Sequence, residues 1–390
     1  MVSWGKRVLC GGALLALALA PARATMLGGS NYAWFGLNYA AYSTDAVAAR
    51  EPYSVIEHYD TAKATIDVQL SAMRANGQTA ISLPLFYSAG YSNGQVLDAA
   101  GGTLTPHDLA NLTNLIATIK QDGFQQVEYR FIGEYAIAPA YWTQWQQGYF
   151  NQTWSLIQSL HGVFAAGGVP YLVDLQNEDA AIATDPAQMQ LLAFDQQLWS
   201  DYTSTYGKAD TVGFSTIADA SRIASLAADY GGNLPDVLDL HFYGKPFTQE
   251  DTGGIVTDTH GELRAEGMDE PWIIGETFYD DASTAAQLGA AIASTGQQVD
   301  ALYQWPVDRA DRTDQYGNQG VDVAPPIGFA NYLPLVGGAA TSVPEPGSLA
   351  MVAAAISGLA ALRAARGAVP RTARTQVTKR RISPARGRCG

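Results

Sequence analysis

The chain has 390 residues, with 23 basic side chains against 37 acidic ones and a formal net charge of −14. Three of the basic residues precede Thr25 and nine lie from Arg363 onward, so the stretch between keeps 11 against all 37 acids. A body this acidic argues against nucleic acid or an anionic membrane surface as partner and favours neutral or cationic ligands. Both cysteines, Cys10 and Cys389, fall in the ends, so the body carries neither a disulfide nor thiol chemistry.

The ends read as addresses. Lys6-Arg7, the apolar run Val8 to Ala20 and Ala22-Arg23-Ala24 form the charged, greasy and small-residue regions of a secretory signal over residues 1–24. The run is short for a membrane anchor. At the other end Val343-Pro344-Glu345-Pro346 precedes an apolar segment and the cluster Arg363 to Arg366. In that order these features resemble the PEP-CTERM sorting signal. The resemblance implies export across the inner membrane, processing by exosortase-type machinery, and membrane contact through the C-terminal segment alone. The expected layout is a linker over 336–346, a membrane segment over 347–363 and a basic tail over 364–390, a tail longer than that signal usually has.

Residues 25–335 remain for one domain. They alternate β-like runs with helical patterns eight times. Strand one is expected at Trp34 to Tyr39, followed by a helix from Ile56 to Arg74 that stops at Asn76-Gly77. Strand two is Thr79 to Leu85, and the helix Asp108 to Gln121 starts behind Thr105-Pro106. Strand three, Gln126 to Ile132, leads through the aromatic loop Tyr141 to Trp145 into a helix from Thr153 to Ala166. Strand four starts at Tyr171 and runs into Asn177-Glu178. A helix from Pro186 to Tyr206, strand five at Thr211 to Thr216, and a helix from Ala220 to Tyr230 follow. Strand six, Val237 to Tyr243, ends in His241-Phe242-Tyr243. A helix from Val256 to Glu266, strand seven ending in Glu276, a helix from Ala282 to Ser294, and strand eight at Ala301 to Trp305 complete the series. The Pro- and Gly-rich stretch Ala324 to Gly338 reads as the exit from the domain.

Eight strand-helix pairs with short connections predict an α/β fold of the (β/α)8 TIM-barrel type, as a single catalytic domain. A doubly wound sheet fits less well, because no Gly-rich phosphate loop follows the first strand. In a parallel barrel, functional groups gather at the C-terminal ends of the strands. Two carboxylates, Glu178 and Glu276, stand there and invite a glycosidase reading.

The strand ends resemble clan A glycoside hydrolases, the cellulase-like barrels that cleave with retention of configuration. The resemblance rests on Asn177-Glu178 at strand four, His241-Phe242-Tyr243 at strand six, Glu276 at strand seven and Trp305 at strand eight. It implies a polysaccharide or oligosaccharide substrate, with Glu276 as nucleophile and Glu178 as acid/base. It further implies that Tyr243 hydrogen-bonds Glu276, that Asn177 binds the hydroxyl beside the anomeric carbon, and that Trp305 forms an apolar floor. His241 would line the site. The arginine usual near the end of strand two is missing from Ile81 to Leu85. Arg130 on strand three is its candidate replacement and is counted among the substrate-binding residues, with an ordinary ion pair to Glu128 or Glu134 as the competing reading.

Plainer readings stand beside these. An Asn-Glu pair after a strand also serves as a helix start, and a lone Glu as a solvated loop residue. Trp142 and Trp145 suit either a sugar-stacking wall or packing beneath a long loop. Asp308, Asp311 and Asp314 match no calcium-loop spacing, no histidine cluster points to zinc, and no cofactor is expected. The expected state is a monomer. A glycan-binding matrix protein without activity, motivated by the missing strand-two arginine, is the alternative function. An aldolase-type barrel is disfavoured because Lys120, Lys208 and Lys245 miss the suitable strand ends.

Overall fold

The computed structural model describes residues 25–36, 54–244, 251–307 and 325–337. The expected signal, the membrane segment, the basic tail, Asp308, Asp311, Asp314 and Lys245 all lie outside the described residues.

Ten strands form one all-parallel sheet: β1 Leu27–Asn31, β2 Ala80–Ser88, β3 Leu97–Asp98, β4 Gln126–Gly133, β5 Tyr171–Asp174, β6 Thr211–Gly213, β7 Thr216–Ile217, β8 Leu238–His241, β9 Trp272–Glu276 and β10 Val299–Gln304. Their order is β6-β5-β4-β2-β1-β10-β9-β8-β7, with β3 attached to the end of β2. The outermost members, β6 and β7, are two halves of one segment, Thr211 to Ile217, and pair with β5 and β8 respectively. The sheet therefore curls round to the same chain segment from both sides, giving the eight strand positions of a (β/α)8 barrel.

The main helices between strands are α1 Tyr59–Ala75, α2 Pro106–Gln121, α3 Gln147–Gly167, α4 Met189–Tyr206, the short α5 Ala220–Ile223 and α6 Leu226–Asp229, α7 Thr252–Ala265 and α8 Ala282–Thr295. Their ends follow capping chemistry. Thr105 accepts from the Asp108 amide ahead of Pro106, Asp281 accepts from the Thr284 amide, and Gly296 closes α8 in the left-handed conformation. The expected helix from Ala220 to Tyr230 is two separate turns, divided at Ala224-Ser225.

Strand one lies earlier than the expected Trp34 to Tyr39, at Leu27–Asn31. Its glycines hide it from pattern reading and are what the position needs. A Cβ at Gly29 would fall 1.9 Å from the Ala80 carbonyl oxygen, and one at Gly28 would fall 2.5 Å from Val336 and 2.9 Å from Phe329. These contacts also correct the expectation for Ala324 to Gly338. Phe329, Tyr332 and Val336 are buried against the outside of the barrel rather than leading away from it.

Alternate residues of the strands point inward, in two layers. Ala80, Val212, Ile273 and Ala301 form an apolar plug. Beyond it, towards the C-terminal ends, Glu128, Arg130, Asp174 and Asp239 are fully buried. The polar layer supports the site above it.

Candidate active site

Arg130 on β4 is the hub. Its guanidinium lies 3.2 Å from Glu128, 3.5 Å from Asp174 and 3.0 Å from Asp239, and donates to Glu276 Oε1 at 2.7 Å. It also reaches Asn177 Oδ1 at 3.1 Å, His241 Nε2 at 3.0 Å and the Gly275 carbonyl at 3.3 Å. Burial works against its charge, but the surrounding carboxylates outweigh that and hold it ionised. Burial raises Asp174 to about 7, against the pull of Arg130, and takes Asp239 well above the carboxylate range. Gly275 is required beneath this hub, since a Cβ there would meet Asp239 at 2.0 Å and Arg130 at 2.4 Å.

Glu276, the last residue of β9, is almost enclosed. Oε1 accepts from Arg130, and Oε2 accepts from the Tyr243 hydroxyl at 2.7 Å. Glu178 follows β5 and is more open, its side chain 31% exposed. Glu178 Oε1 lies 2.8 Å from His241 Nδ1. One carboxylate oxygen of each glutamate and a ring nitrogen of His241 all fall within 4.8 Å of one another. The two acids, far apart in the chain, face each other across one opening.

The hydrogen bonds assign the protons. Arg130 can only donate, so His241 Nε2 accepts, and the ring proton sits on Nδ1, from which it is donated to Glu178. Burial depresses the imidazole to about 4, against the pull of Glu276, so His241 is neutral. Burial raises both glutamates, and on Glu276 the charge of Arg130 and the hydrogen bond from Tyr243 oppose the added repulsion from Glu178. Two facing carboxyls in such a setting keep a shared proton. Both oxygens of Glu276 already accept from donors, so the proton belongs on Glu178, whose second oxygen is open.

Asn177 is fixed by its amide oxygen, which accepts from Arg130 and from Ser215 Oγ at 3.3 Å. Ser215 also accepts from the Glu178 amide at 3.0 Å. It reaches that place because strand five breaks between β6 and β7. Gly213 has φ +74°, and a Cβ there would strike the Tyr230 ring at 2.6 Å. Glu178 itself has φ +56°, a conformation that costs a non-glycine residue about 1–2 kcal/mol. Arg222 on α5 holds it there by donating to the carbonyls of Glu178, at 3.2 Å, and Ala180.

The other expected residues divide. Trp305 is half-buried just past β10, edge to face with Trp34 at 5.6 Å. Trp142 does not form a stacking wall. It is 5% exposed, its indole N–H donates to the Ala136 carbonyl, and its ring packs on Trp145, Tyr149 and Phe194. Arg130, expected to meet substrate, has no exposed surface and acts from beneath. Ser215 and Arg222 escape sequence reasoning, because neither belongs to a strand-end motif. Lys208 is bound to the Leu234 carbonyl and Asp236, away from the opening. Glu178, His241 and Glu276 have the ligand types and spacing to hold a metal ion. The guanidinium in contact with Glu276 and His241 already places a positive charge there, which disfavours a second one.

No family model matches this chain, and neither does any curated protein. Among solved structures it is similar to an exo-β-1,4-mannosidase from Opitutaceae bacterium strain TAV5, at 13% identity and a TM-score of 0.46, covering 72% of this chain and 51% of that one. An endo-β-mannanase/endo-β-glucanase from Prevotella bryantii is similar at 13% identity and 0.49, over 80% of this chain and 48% of that one. For a β-mannanase from the blue mussel Mytilus edulis the figures are 13% and 0.47, over 75% and 89%. The chain thus spans about half the length of the first two and most of the third.

Proposed function

We propose that this chain is an exported retaining glycoside hydrolase that cleaves a polysaccharide by double displacement. The observation that carries the reading is the approach of Glu178 and Glu276 to within 4.8 Å at the C-terminal mouth of the barrel. Retaining enzymes hold their two carboxyls about 5 Å apart, whereas inverting ones leave room for a water between them. Glu276, ionised and held by Arg130 and Tyr243, attacks the anomeric carbon. Glu178 gives its proton to the departing glycosidic oxygen as that bond breaks. Water then attacks the glycosyl-enzyme, Glu178 takes the water's proton, and Glu276 leaves as carboxylate. The His241 Nδ1–H bond keeps Glu178 oriented in both protonation states. The amide NH2 of Asn177 serves the neighbouring sugar hydroxyl, and Trp305 lies under the ring. Release by exosortase-type processing after export, membrane contact only through the C-terminal segment, and a monomeric state belong to the same proposal.

The competing idea of an inactive glycan binder drew on the missing strand-two arginine. Arg130 now supplies a guanidinium to Glu276 from strand three, which removes that motive. The test is hydrolysis of a polysaccharide panel with product configuration followed by NMR. Retention is expected, and Glu276→Gln and Glu178→Gln should each lower kcat at least about a thousandfold. Inverted product, or unchanged turnover in either variant, overturns the reading.

A further inference from the structure

Among the described residues three tyrosines are conspicuously exposed: Tyr91, Tyr135 and Tyr141, at 49%, 50% and 76%. All three stand on loops leaving the C-terminal ends of β2 and β4, the face on which Glu178 and Glu276 meet. Tyr91 and Tyr135 contact edge to face, with centroids 5.3 Å apart and planes at 88°. With Ser88, Glu134 and Tyr149 they line a cleft of about 340 Å3, a volume typical of small-ligand sites.

Both rings are held outward by built backbone. The Ser88 hydroxyl accepts from the Tyr91 amide at 3.0 Å and donates to the Tyr91 carbonyl at 2.6 Å. Tyr135 has φ +58°, a region that bulky residues avoid. The Glu134 amide donates to the Tyr87 carbonyl on one side of it, and a 3-10 turn over Tyr135–Ile137 follows on the other. Strain retained in order to expose an apolar ring is the reverse of what packing selects, and points to a ligand. The cleft is separate from the catalytic opening. Neither Glu178 nor Glu276 lines it, while Tyr87 Oη donates to Gln176 Oε1 at 3.3 Å and Gly133 abuts Gln176, which ties the strands carrying the cleft to the segment leading to Glu178.

We propose that the Tyr91–Tyr135 cleft is a remote sugar subsite. It takes one ring of an extended glycan chain whose scissile bond lies between Glu178 and Glu276. The proposal rests on the glycosidase reading and deepens it, making the substrate a polymer or long oligosaccharide rather than a disaccharide. Tyrosine faces suit the apolar C–H face of a pyranose, while Glu134 and the phenol hydroxyls offer polar contacts to its hydroxyls.

The test uses oligosaccharides of increasing length in β-1,3-, β-1,4- and β-1,6-linked glucose, mannose and N-acetylglucosamine series, with wild type, Tyr91→Ala/Tyr135→Ala, and Tyr91→Phe/Tyr135→Phe. In whichever series is cleaved, the advantage of the longest over the shortest member in kcat/KM should fall roughly tenfold in the alanine variant and survive in the phenylalanine variant. An unchanged length dependence overturns the subsite and leaves the glycosidase standing. If wild type cleaves none, the glycosidase reading falls, and calorimetric titration of the same compounds then decides. Binding lost with alanine and kept with phenylalanine supports the cleft, whereas equal or absent binding overturns it.

Discussion

Arg130 and Arg222 each serve one of the two facing carboxyls, by opposite means. Arg130 touches the carboxylate of Glu276 itself, charge against charge, with no exposed surface. Arg222 never touches the carboxyl of Glu178. It binds the carbonyls of Glu178 and Ala180 from a half-buried position. The difference matches what the proposed mechanism asks of each acid. A nucleophile has to be an anion before it reacts, so a fixed cation on its oxygen helps. A group that must lose and regain a proton is better served by a held backbone and a free oxygen. Each arginine also stands among other buried acids: Glu128, Asp174 and Asp239 around the first, and Asp179, Asp195 and Asp229 around the second.

The comparison breaks most visibly at Arg130. Arg130→Met strips the compensation from four carboxylates, and removing one partner of a buried ion pair costs about 3–5 kcal/mol. Urea unfolding should show a loss of that order, with Arg130→Lys between the variant and wild type because one point charge cannot replace the fork. Arg130 lowers the pKa of Glu276, so its removal raises it. In whatever folds, the acid limb of the pH–rate profile should therefore move up. A variant as stable as wild type with its acid limb in place would mean that Arg130 neither holds the barrel layer nor tunes Glu276.

Arg222→Met should act more gently, and on the other limb. Loss of the two carbonyl contacts frees a residue held at φ +56°, and a drop of about tenfold in kcat is expected, about 1.4 kcal/mol. Arg222 also pulls the Glu178 pKa down against its burial. Without it the acid keeps its proton to higher pH, so the alkaline limb should shift upward. Substrates with good leaving groups, which need little protonation, should lose less. A uniform loss with no shift would reduce Arg222 to scaffolding.

The contrast also marks how far the sequence was legible. Barrel strands built from branched and aromatic runs, such as Trp272-Ile273-Ile274, were readable, and so were the polar strand ends that carry Asn177, Glu178, His241, Tyr243 and Glu276. β1 was not, because the close approach of β2 demands glycine where strand propensity would ask for a side chain. Strand five misread for a related reason: its break at Phe214-Ser215 depends on Tyr230 filling the space over Gly213, a contact between residues 17 positions apart. Arg130 was legible as a residue on a strand, and its alternation with Glu128 places both inside the barrel. That it spans the interior to Glu276, 146 positions on, is tertiary geometry. Arg222 and the fate of Trp142 belong to the same class, since no local pattern distinguishes an arginine that grips a distant loop or an indole that turns inward.

The acids around Arg222 supply the smallest test. Asp195 and Asp229 are fully buried, and none of their four oxygens makes a hydrogen bond of normal geometry among the described residues. Burial raises Asp229 to about 8, and burial together with repulsion from Asp229 takes Asp195 well above the carboxylate range. In the unfolded chain such groups titrate near 4. Between about pH 4 and 8 the folded state therefore holds protons that the unfolded state has released, and stability falls with rising pH by about 1.4 kcal/mol per unit for each such group. His241, depressed to about 4, works in the other direction up to its unfolded value near 6.5. Asp229→Asn isolates the aspartate contribution, because His241 is common to both proteins. Asparagine is neutral at every pH, so the variant should gain on wild type by about 1.3 kcal/mol in urea unfolding between pH 6 and pH 7. An advantage that stays flat would show that Asp229 is ionised in the fold and finds its compensation in Arg222. The second arginine would then be matched to its acids by charge, as the first one is.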